Sequence, residues 1–418
     1  MSLLDTSSPS IDPPARSRSG RFARLGAAPL RRALRALLAR VRCGSITIQL
    51  PDRSRLDARG DEPGPHAFIE VHRWRALARL FWQGDIGLAE SYREGDWSTC
   101  DLTAVLEFGA CNDAAMDDKL TGSLFARLVQ RAVHRLRDNS RRRARQNITA
   151  HYDLGNTFYS LWLDPRMIYS SALYRHESQT LEQAQRVKID RVVETLGLQA
   201  GQSVLEIGCG WGALALAMAE RHDAKVTGLT LSPAQLAHAR AQVQAAGRSG
   251  SVDLRLQDYR DVEGRFDRIV SIEMLEAVGE SYWPTYFDTV RDRLAPGGRA
   301  AIQVITIADG SFDSYRRGVD FIQRFIFPGG MLPSKSVMKA QVARVGLELE
   351  SVESFGISYA RTLVEWRRRF EDAWPAIAAL GFDEAFRRLW RYYLCYCEAG
   401  FRTGRVDVSL YTLRSGTA

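Results

Sequence analysis

The stretch "VLEIGCGWGALALAMAE", residues 204–220, decides the fold. An apolar run meets three glycines in five positions and then passes into an alanine-rich run. The pattern predicts a strand, a tight turn and a helix, because glycine allows backbone conformations and close approaches that other residues resist. The spacing is Glu206-x-Gly208-x-Gly210-x-Gly212. A dinucleotide-binding loop is G-x-G-x-x-G, with room for a pyrophosphate at the helix start. Here the glycines are closer together and follow a carboxylate. That group suits a cationic, ammonium-bearing ligand better than a phosphate. Taken alone, a glycine-rich loop is weak evidence, but the strand and helix that flank it argue against a merely structural turn.

Working outward, the rhythm stays regular. "SVLEIG" (203–208), "KVTGLTLS" (225–232), "VDLRLQD" (252–258), "FDRIVSIE" (266–273) and, after the turn "LAPGG", "RAAIQVITI" (299–307) read as strands. Helices fall between them, one at "ALALAMAERH" and one starting at Pro233. Such alternation predicts an α/β doubly wound, mostly parallel sheet, with ligands at the carboxyl ends of its strands. With an acid-flanked glycine loop at that edge, S-adenosylmethionine is the expected ligand. The second strand ends in Gly228-Leu229-Thr230-Leu231-Ser232, without the acid that commonly binds a ribose.

The chain has 418 residues, enough for two or three domains with a sizeable core. Its six cysteines, at 43, 100, 111, 209, 395 and 397, show no zinc-type pairing, so no metal site is expected. No apolar run approaches the ~20 residues of a membrane span, and the polar N-terminus lacks a secretory h-region. A cytoplasmic protein, peripheral to the inner face of the membrane, is the expectation. Residues 1–43 form a basic, partly disordered segment that includes "RRALRALLARV" (31–41), either a surface helix or a basic amphipathic helix touching anionic lipid. A small α+β domain follows over 44–126. Within it "SITIQL" alternates like a strand, "FIEVHRWRALARLFW" runs from strand into helix, and Asp101 caps "LTAVLEFGA". A basic linker over 127–146 is either solvated or a contact for phospholipid headgroups. The net charge of +8 calls for an anionic partner. No nucleic-acid module or interleaved aromatic platform accompanies the charge, so no nucleic acid is expected.

Six further stretches, together with the glycine loop, carry a resemblance: "HYDLGNTFYSLWLDPRMIYSSALY" (151–174), "GLTLSPAQ" (228–235), "QDYRD" (257–261), "FDRIVSIEMLEAVG" (266–279), "FIFPGGMLPS" (325–334) and "YYLCYCEAGFRTGRVDVSLYTL" (392–413). In this order they resemble the cyclopropane-fatty-acyl-phospholipid synthases and the related mycolic acid cyclopropane synthases and fatty acyl methyltransferases. The likeness is close over 145–418 and looser before. It implies a class I S-adenosylmethionine-dependent methyltransferase domain over 147–418, with Tyr169, Ser170, Glu206, Gly208, Gly210, Gly212, Thr230, Gln235, Asp258 and Tyr259 around the cofactor. It also implies unsaturated phospholipid acyl chains as substrate, and it leaves a homodimer open.

In that family an alkene attacks the sulfonium methyl, and a bound bicarbonate takes up the proton lost afterwards. The positions that would hold bicarbonate are Ser171 in place of a cysteine, Glu276, Gln303 in place of a histidine, Ile305 and Tyr359; Ala277 replaces a second histidine. A hydroxyl and an amide still hydrogen-bond an anion but do not titrate near neutral pH. Glu273 stands where many relatives have glycine. On a helical turn it would share a face with Glu276. It is either a capping or solvent-facing carboxylate, or a base that assists or replaces bicarbonate. Cys397 matches a cysteine regarded as an active-site residue, and a buried structural thiol is the other reading. Tyr152, Phe158 and Trp162 are candidates for the walls of an acyl tunnel. Three functions remain open: a cyclopropane-forming synthase, a C-methyltransferase giving a methyl- or methylene-branched chain, and a lipid-binding protein without activity.

Overall fold

The computed structural model describes residues 22–113, 115 and 154–416. The first 21 residues, Tyr152 and the basic linker at 127–146 lie outside these.

The first domain holds a four-stranded sheet in the order β2-β1-β3-β4, with β1 at Cys43–Gln49, β2 at Arg55–Arg59, β3 at Glu62–Val71 and β4 at Trp97–Ser98. β3 runs parallel to β1, although only two residues separate it from β2. The chain therefore passes tightly under the start of β1. Gly60 makes this possible, since a Cβ there would lie 2.1 Å from the Arg42 carbonyl. Asp101 caps the helix Leu102–Cys111 by accepting from the Ala104 amide at 3.0 Å. Asn112, at the end of that helix, accepts from the Arg42 and Cys43 amides and donates to the Cys43 carbonyl.

The leucine face anticipated at 31–41 belongs to a helix at Phe22–Leu38, and Leu34, Leu37 and Leu38 are buried in this domain's core. The leucine face packs inward, which leaves the arginine face outward under either reading. The first domain thus extends upstream of residue 44.

The second sheet has seven strands in the order β10-β11-β9-β8-β5-β6-β7. The strands are β5 (Ser203–Ile207), β6 (Lys225–Thr230), β7 (Val252–Leu256), β8 (Phe266–Ile272), β9 (Leu294–Ile307), β10 (Glu348–Ser354) and β11 (Val406–Arg414). β5 to β9 are mutually parallel, and β11 is antiparallel to both β9 and β10. The chain runs outward from β5 in both directions, so the crevice above β5 and β8 is the switch point where such sheets bind ligands. The "LAPGG" turn is absorbed into β9, where the register against β8 slips between Phe266 and Arg268 and Gly297 takes φ +70°.

Two long helices, Gly356–Asp372 and Glu384–Arg402, pack together over the sheet's carboxyl edge. The second also packs on the first domain's helices Asp85–Arg93 and Leu102–Cys111. Buried Glu398 ties this junction, accepting from Thr103 Oγ1 at 3.1 Å and pairing with Arg367 and Arg402. One of three apolar clusters among the described residues runs through this junction. Phe158 and Trp162 sit there, fully buried among Phe370, Phe386 and Trp390. They are packing residues and do not line the cavity.

Candidate active site

A cavity of about 780 Å³ opens at the carboxyl edge of β5, β6, β8 and β9. Its first half is built by loops that follow strands. Gly208 and Gly210 take φ +86° and +53° and bring their backbone to the cavity wall. Gly212 also has positive φ, +87°, but it faces away: a Cβ there would meet the Ala239 Cβ at 2.9 Å. It serves the packing of the helix Ala213–His222 on the helix Pro233–Ala245, not the ligand. Thr230 Oγ1 donates to Gln235 Oε1 at 3.0 Å and accepts from the Ser232 amide, fixing both side chains at the wall. Tyr259 lines the cavity. Asp258 does not, because its carboxylate is held by Arg260 at 2.8 and 2.7 Å; Gln257 takes the place at the wall.

Glu206 reaches the same half from β5. It is 3% exposed, and its Oε2 has no hydrogen-bond partner among the described residues. Burial pushes its carboxyl up to about 8. A buried carboxylate with one oxygen left without a donor fits a ligand that brings a cation or ammonium group, which S-adenosylmethionine does. Lys188, on the helix Leu181–Leu196, faces it across the wall. Its Nζ donates to Ser170 Oγ at 2.9 Å, and burial lowers it to about 8 against the pull of Glu273, Asp164 and Glu206. Sequence reasoning missed Lys188. The signal was there: it falls on the buried stripe of its helix with Leu181, Ala184, Gln185, Ile189 and Val192, where an unpaired lysine does not belong.

The second half collects side chains from distant segments. Glu273 and Glu276 do not share a helix face. Glu273 follows β8 directly with φ +49°, a region where a non-glycine residue is strained, and Glu276 sits in a 3₁₀ turn, Leu275–Ala277. The capping or solvent-facing reading of Glu273 fails, since its carboxylate is held inside. Oε1 accepts from the Ser171 amide at 2.9 Å and from Gln303 Nε2 at 2.7 Å, and Oε2 accepts from the Tyr359 hydroxyl at 2.7 Å. Ser171 contributes its backbone, because its own hydroxyl donates to the Ala172 carbonyl. Ser171 and Gln303 lie behind Glu273, while Glu273, Glu276, Ile305, Tyr359 and Cys397 line the cavity.

Burial raises the Glu273 carboxyl, opposed by Tyr359, Ser171, Gln303 and Lys188. Glu276 accepts from the Ile305 amide at 2.5 Å, leaves Oε2 without a partner, and is pushed up to about 8 by burial and then by Glu273. Burial drives the Cys397 thiol far up, which disfavours its thiolate form. Tyr169 and Tyr393 meet hydroxyl to hydroxyl at 2.9 Å beside these groups. No group of three or more His, Cys, Asp or Glu among the described residues is placed to hold a metal ion.

Comparison with known proteins places the chain among methyltransferases. The model of the mycolic acid cyclopropane synthetase family matches residues 139–411. Tuberculostearic acid methyltransferase UfaA1 of Mycobacterium tuberculosis is 42% identical over 373 residues, covering 84% of each chain. Cyclopropane-fatty-acyl-phospholipid synthase of Escherichia coli is 36% identical over 363 residues, covering 87% of this chain and 91% of its own. Among solved structures, the cyclopropane synthase MmaA2 of Mycobacterium tuberculosis superimposes with a TM-score of 0.62 at 33% identity, covering 65% of this chain and 98% of its own. The mycolic acid cyclopropane synthase CmaA1, in complex with SAH and CTAB, gives 0.62 at 32% identity over the same shares. The chain belongs to the mycolic acid cyclopropane synthetase family and is an S-adenosylmethionine-dependent methyltransferase.

Proposed function

We propose that this enzyme methylates the double bond of an unsaturated phospholipid acyl chain, and that Glu273 accepts the proton lost afterwards in place of bicarbonate. One observation carries the reading. The Glu273 carboxylate accepts from Ser171, Gln303 and Tyr359, the positions the family resemblance assigns to bicarbonate. The strained φ of Glu273, at a position where glycine is common, is what brings the carboxylate there.

When bound, S-adenosylmethionine supplies an electrophilic methyl group. The alkene is a weak nucleophile, so the chain's own contribution to that step is alignment and exclusion of water. Methyl transfer leaves a cation on the adjacent acyl carbon. The faces of Tyr169, Tyr359 and Tyr393 on the wall suit a passing positive charge. A carboxylate offers about four lone-pair sites; three are taken in Glu273, and the one left, on Oε2, is free for a proton.

Two outcomes deliver the same proton to it. A hydride shift from the methylated carbon to its cationic neighbour, followed by loss of a methyl proton, gives a methylene branch. Loss of the methyl proton without the shift, its electron pair closing on the cation, gives a cyclopropane. We favour the branched chain. The 42% relative and a 39% identical protein of Pseudomonas putida are named methyltransferases. Ring closure is the second reading, favoured by the Escherichia coli relative.

The net charge of +8 supports work at an anionic membrane surface, reached from the cytoplasm. No helix of the described residues is long and apolar enough to cross a membrane.

The test uses the full chain, labelled S-adenosylmethionine and vesicles of unsaturated phospholipid. Glu273→Gln is expected to bind the cofactor normally and to lose roughly 10²-fold or more in turnover. Glu273→Gly should relieve the backbone strain, lose activity in carbonate-free buffer, and regain it when bicarbonate is added. Wild-type turnover that depends on added bicarbonate would overturn the role of Glu273. Mass spectrometry with olefin-specific derivatisation separates a methylene branch from a ring.

A further inference from the structure

The cavity continues past the proton-accepting groups and runs between the two domains. Its far wall is made by the first domain, with Leu80 and Leu88 from one side and Val105, Leu106 and Gly109 from the helix Leu102–Cys111. Val105, Leu106 and Gly109 share one face of their helix, and Leu80 and Leu88 come from two successive helices, Arg75–Gln83 and Asp85–Arg93, so apolar side chains from three helices face one channel. The family model begins at residue 139, and this wall lies outside it.

Gly109 stands out. It lies inside a helix, where glycine is a poor choice, yet a Cβ there would meet nothing within 4 Å. No neighbour demands a glycine at this point. Gly109 is exposed and lines the cavity, so a longer side chain there would project into the open space at this end of the channel.

The chemistry of the surroundings selects the occupant. Asp85, Asp113 and Asp320 border this end, and Arg405 is already paired with Asp113 across the domain junction. A phosphodiester headgroup would meet three carboxylates against two guanidiniums, Arg317 and the Arg405 already paired with Asp113. A hydrocarbon tail meets leucine, valine and open space.

We propose that the Gly109 face of the first domain forms the tail end of the substrate channel and sets the longest acyl segment, from double bond to methyl end, that the enzyme accepts. This rests on the acyl-chain reading above. It makes the first domain a specificity element rather than only a membrane contact.

The experiment compares the full-length wild type with Gly109→Leu and Leu106→Ala. Substrates are phosphatidylglycerol vesicles carrying cis-Δ9 chains of fourteen, sixteen or eighteen carbons, in which only the tail length varies. Binding of S-adenosylmethionine is measured in parallel. Gly109→Leu should lower the ratio of eighteen- to fourteen-carbon turnover by about tenfold or more, the discrimination that methylene groups give in an apolar pocket. Leu106→Ala should move the ratio the other way. Gly109→Ala, adding a methyl into open space, should leave it near wild type. Unchanged ratios in Gly109→Leu, with cofactor binding intact, would overturn the proposal. If that variant fails to bind the cofactor, Leu106→Ala decides by the same ratio. A wild type that consumes no cofactor on any of these lipids would instead overturn the acyl-chain reading itself.

Discussion

The two ends of the reaction cavity are built by opposite means. At the cofactor end the wall comes from short local stretches: Glu206 to Trp211 with Ala213 and Leu214 at the end of β5, and Leu229 to Leu231 with Gln235 at the end of β6. Backbone conformation does most of the shaping, through the positive φ of Gly208 and Gly210. At the proton-accepting end four groups converge from residues 171, 273, 303 and 359, none a sequence neighbour of another. Side chains do the shaping there, and one strained residue, Glu273, closes the arrangement. A local motif tolerates change in the rest of the protein. A convergent one depends on every element that delivers a member.

That contrast breaks most easily at Glu273. Replacing it with glutamine should cost the most, about 10²-fold or more in kcat with cofactor affinity retained, as checked by product release and calorimetry. Equal losses in both readouts would mean that the two ends are not separable. Next comes Tyr359→Phe, which removes the hydroxyl that donates to Glu273 Oε2. A fall in kcat of about tenfold is expected, the worth of one charge-assisted hydrogen bond, again without weaker cofactor binding.

Lys188 joins the two ends, since its charge acts on both Glu206 and Glu273. Glu273 must be ionised to accept a proton, and its carboxyl is already raised by burial. Activity should therefore rise with pH through that raised value. Lys188 opposes the rise, so Lys188→Met should push the acid limb of the pH–kcat profile further up. Lys188→Arg should restore it. An unmoved limb with merely lower activity would reduce Lys188 to a packing role.

Glu206 tests the cofactor end alone. Its carboxyl stays protonated up to about 8 in the free enzyme, and a cationic ligand favours the charged form. Binding of S-adenosylmethionine should therefore release a proton below that pH and tighten as pH rises, seen by calorimetry in buffers of different ionisation enthalpy. The sign for stability is opposite. A carboxyl raised above its unfolded value destabilises the fold as pH rises from about 4.5 to about 8. The cofactor-free protein should melt lower at the alkaline end of that window.

Gly212→Ala should matter least for catalysis. It forces a Cβ toward Ala239 at φ +87° and should lower stability by about 1–2 kcal/mol, visible in a melting curve, with cofactor affinity unchanged. Weaker binding would return Gly212 to the cofactor site.

The parallel strands and the helix starts at Ala213 and Pro233 follow from hydrophobic rhythm and capping residues, so they were legible along the chain. The antiparallel strands β10 and β11 were not picked out, because a helical stretch separates them in sequence and their pairing is non-local. Asp258 shows the limit at single-residue scale: its position suggests a ligand contact, but a neighbouring arginine two residues on claims the carboxylate. Phe158 and Trp162 show the same limit, since an aromatic residue reads alike whether it lines a tunnel or fills a core.

What the chain determined by itself is everything that depends on near neighbours: the strand–loop–helix units, the glycine turns, the acid before them, and the kinship with a methyltransferase family. What only the tertiary structure decided is which distant groups share a space. It turned Glu273 inward onto Ser171, Gln303 and Tyr359, set Lys188 between two buried carboxylates, and brought the first domain's Gly109 face to the end of the channel. The physical reason is burial. Hydrogen bonds and charges gain their strength where water is excluded, and only the packed fold decides where that is.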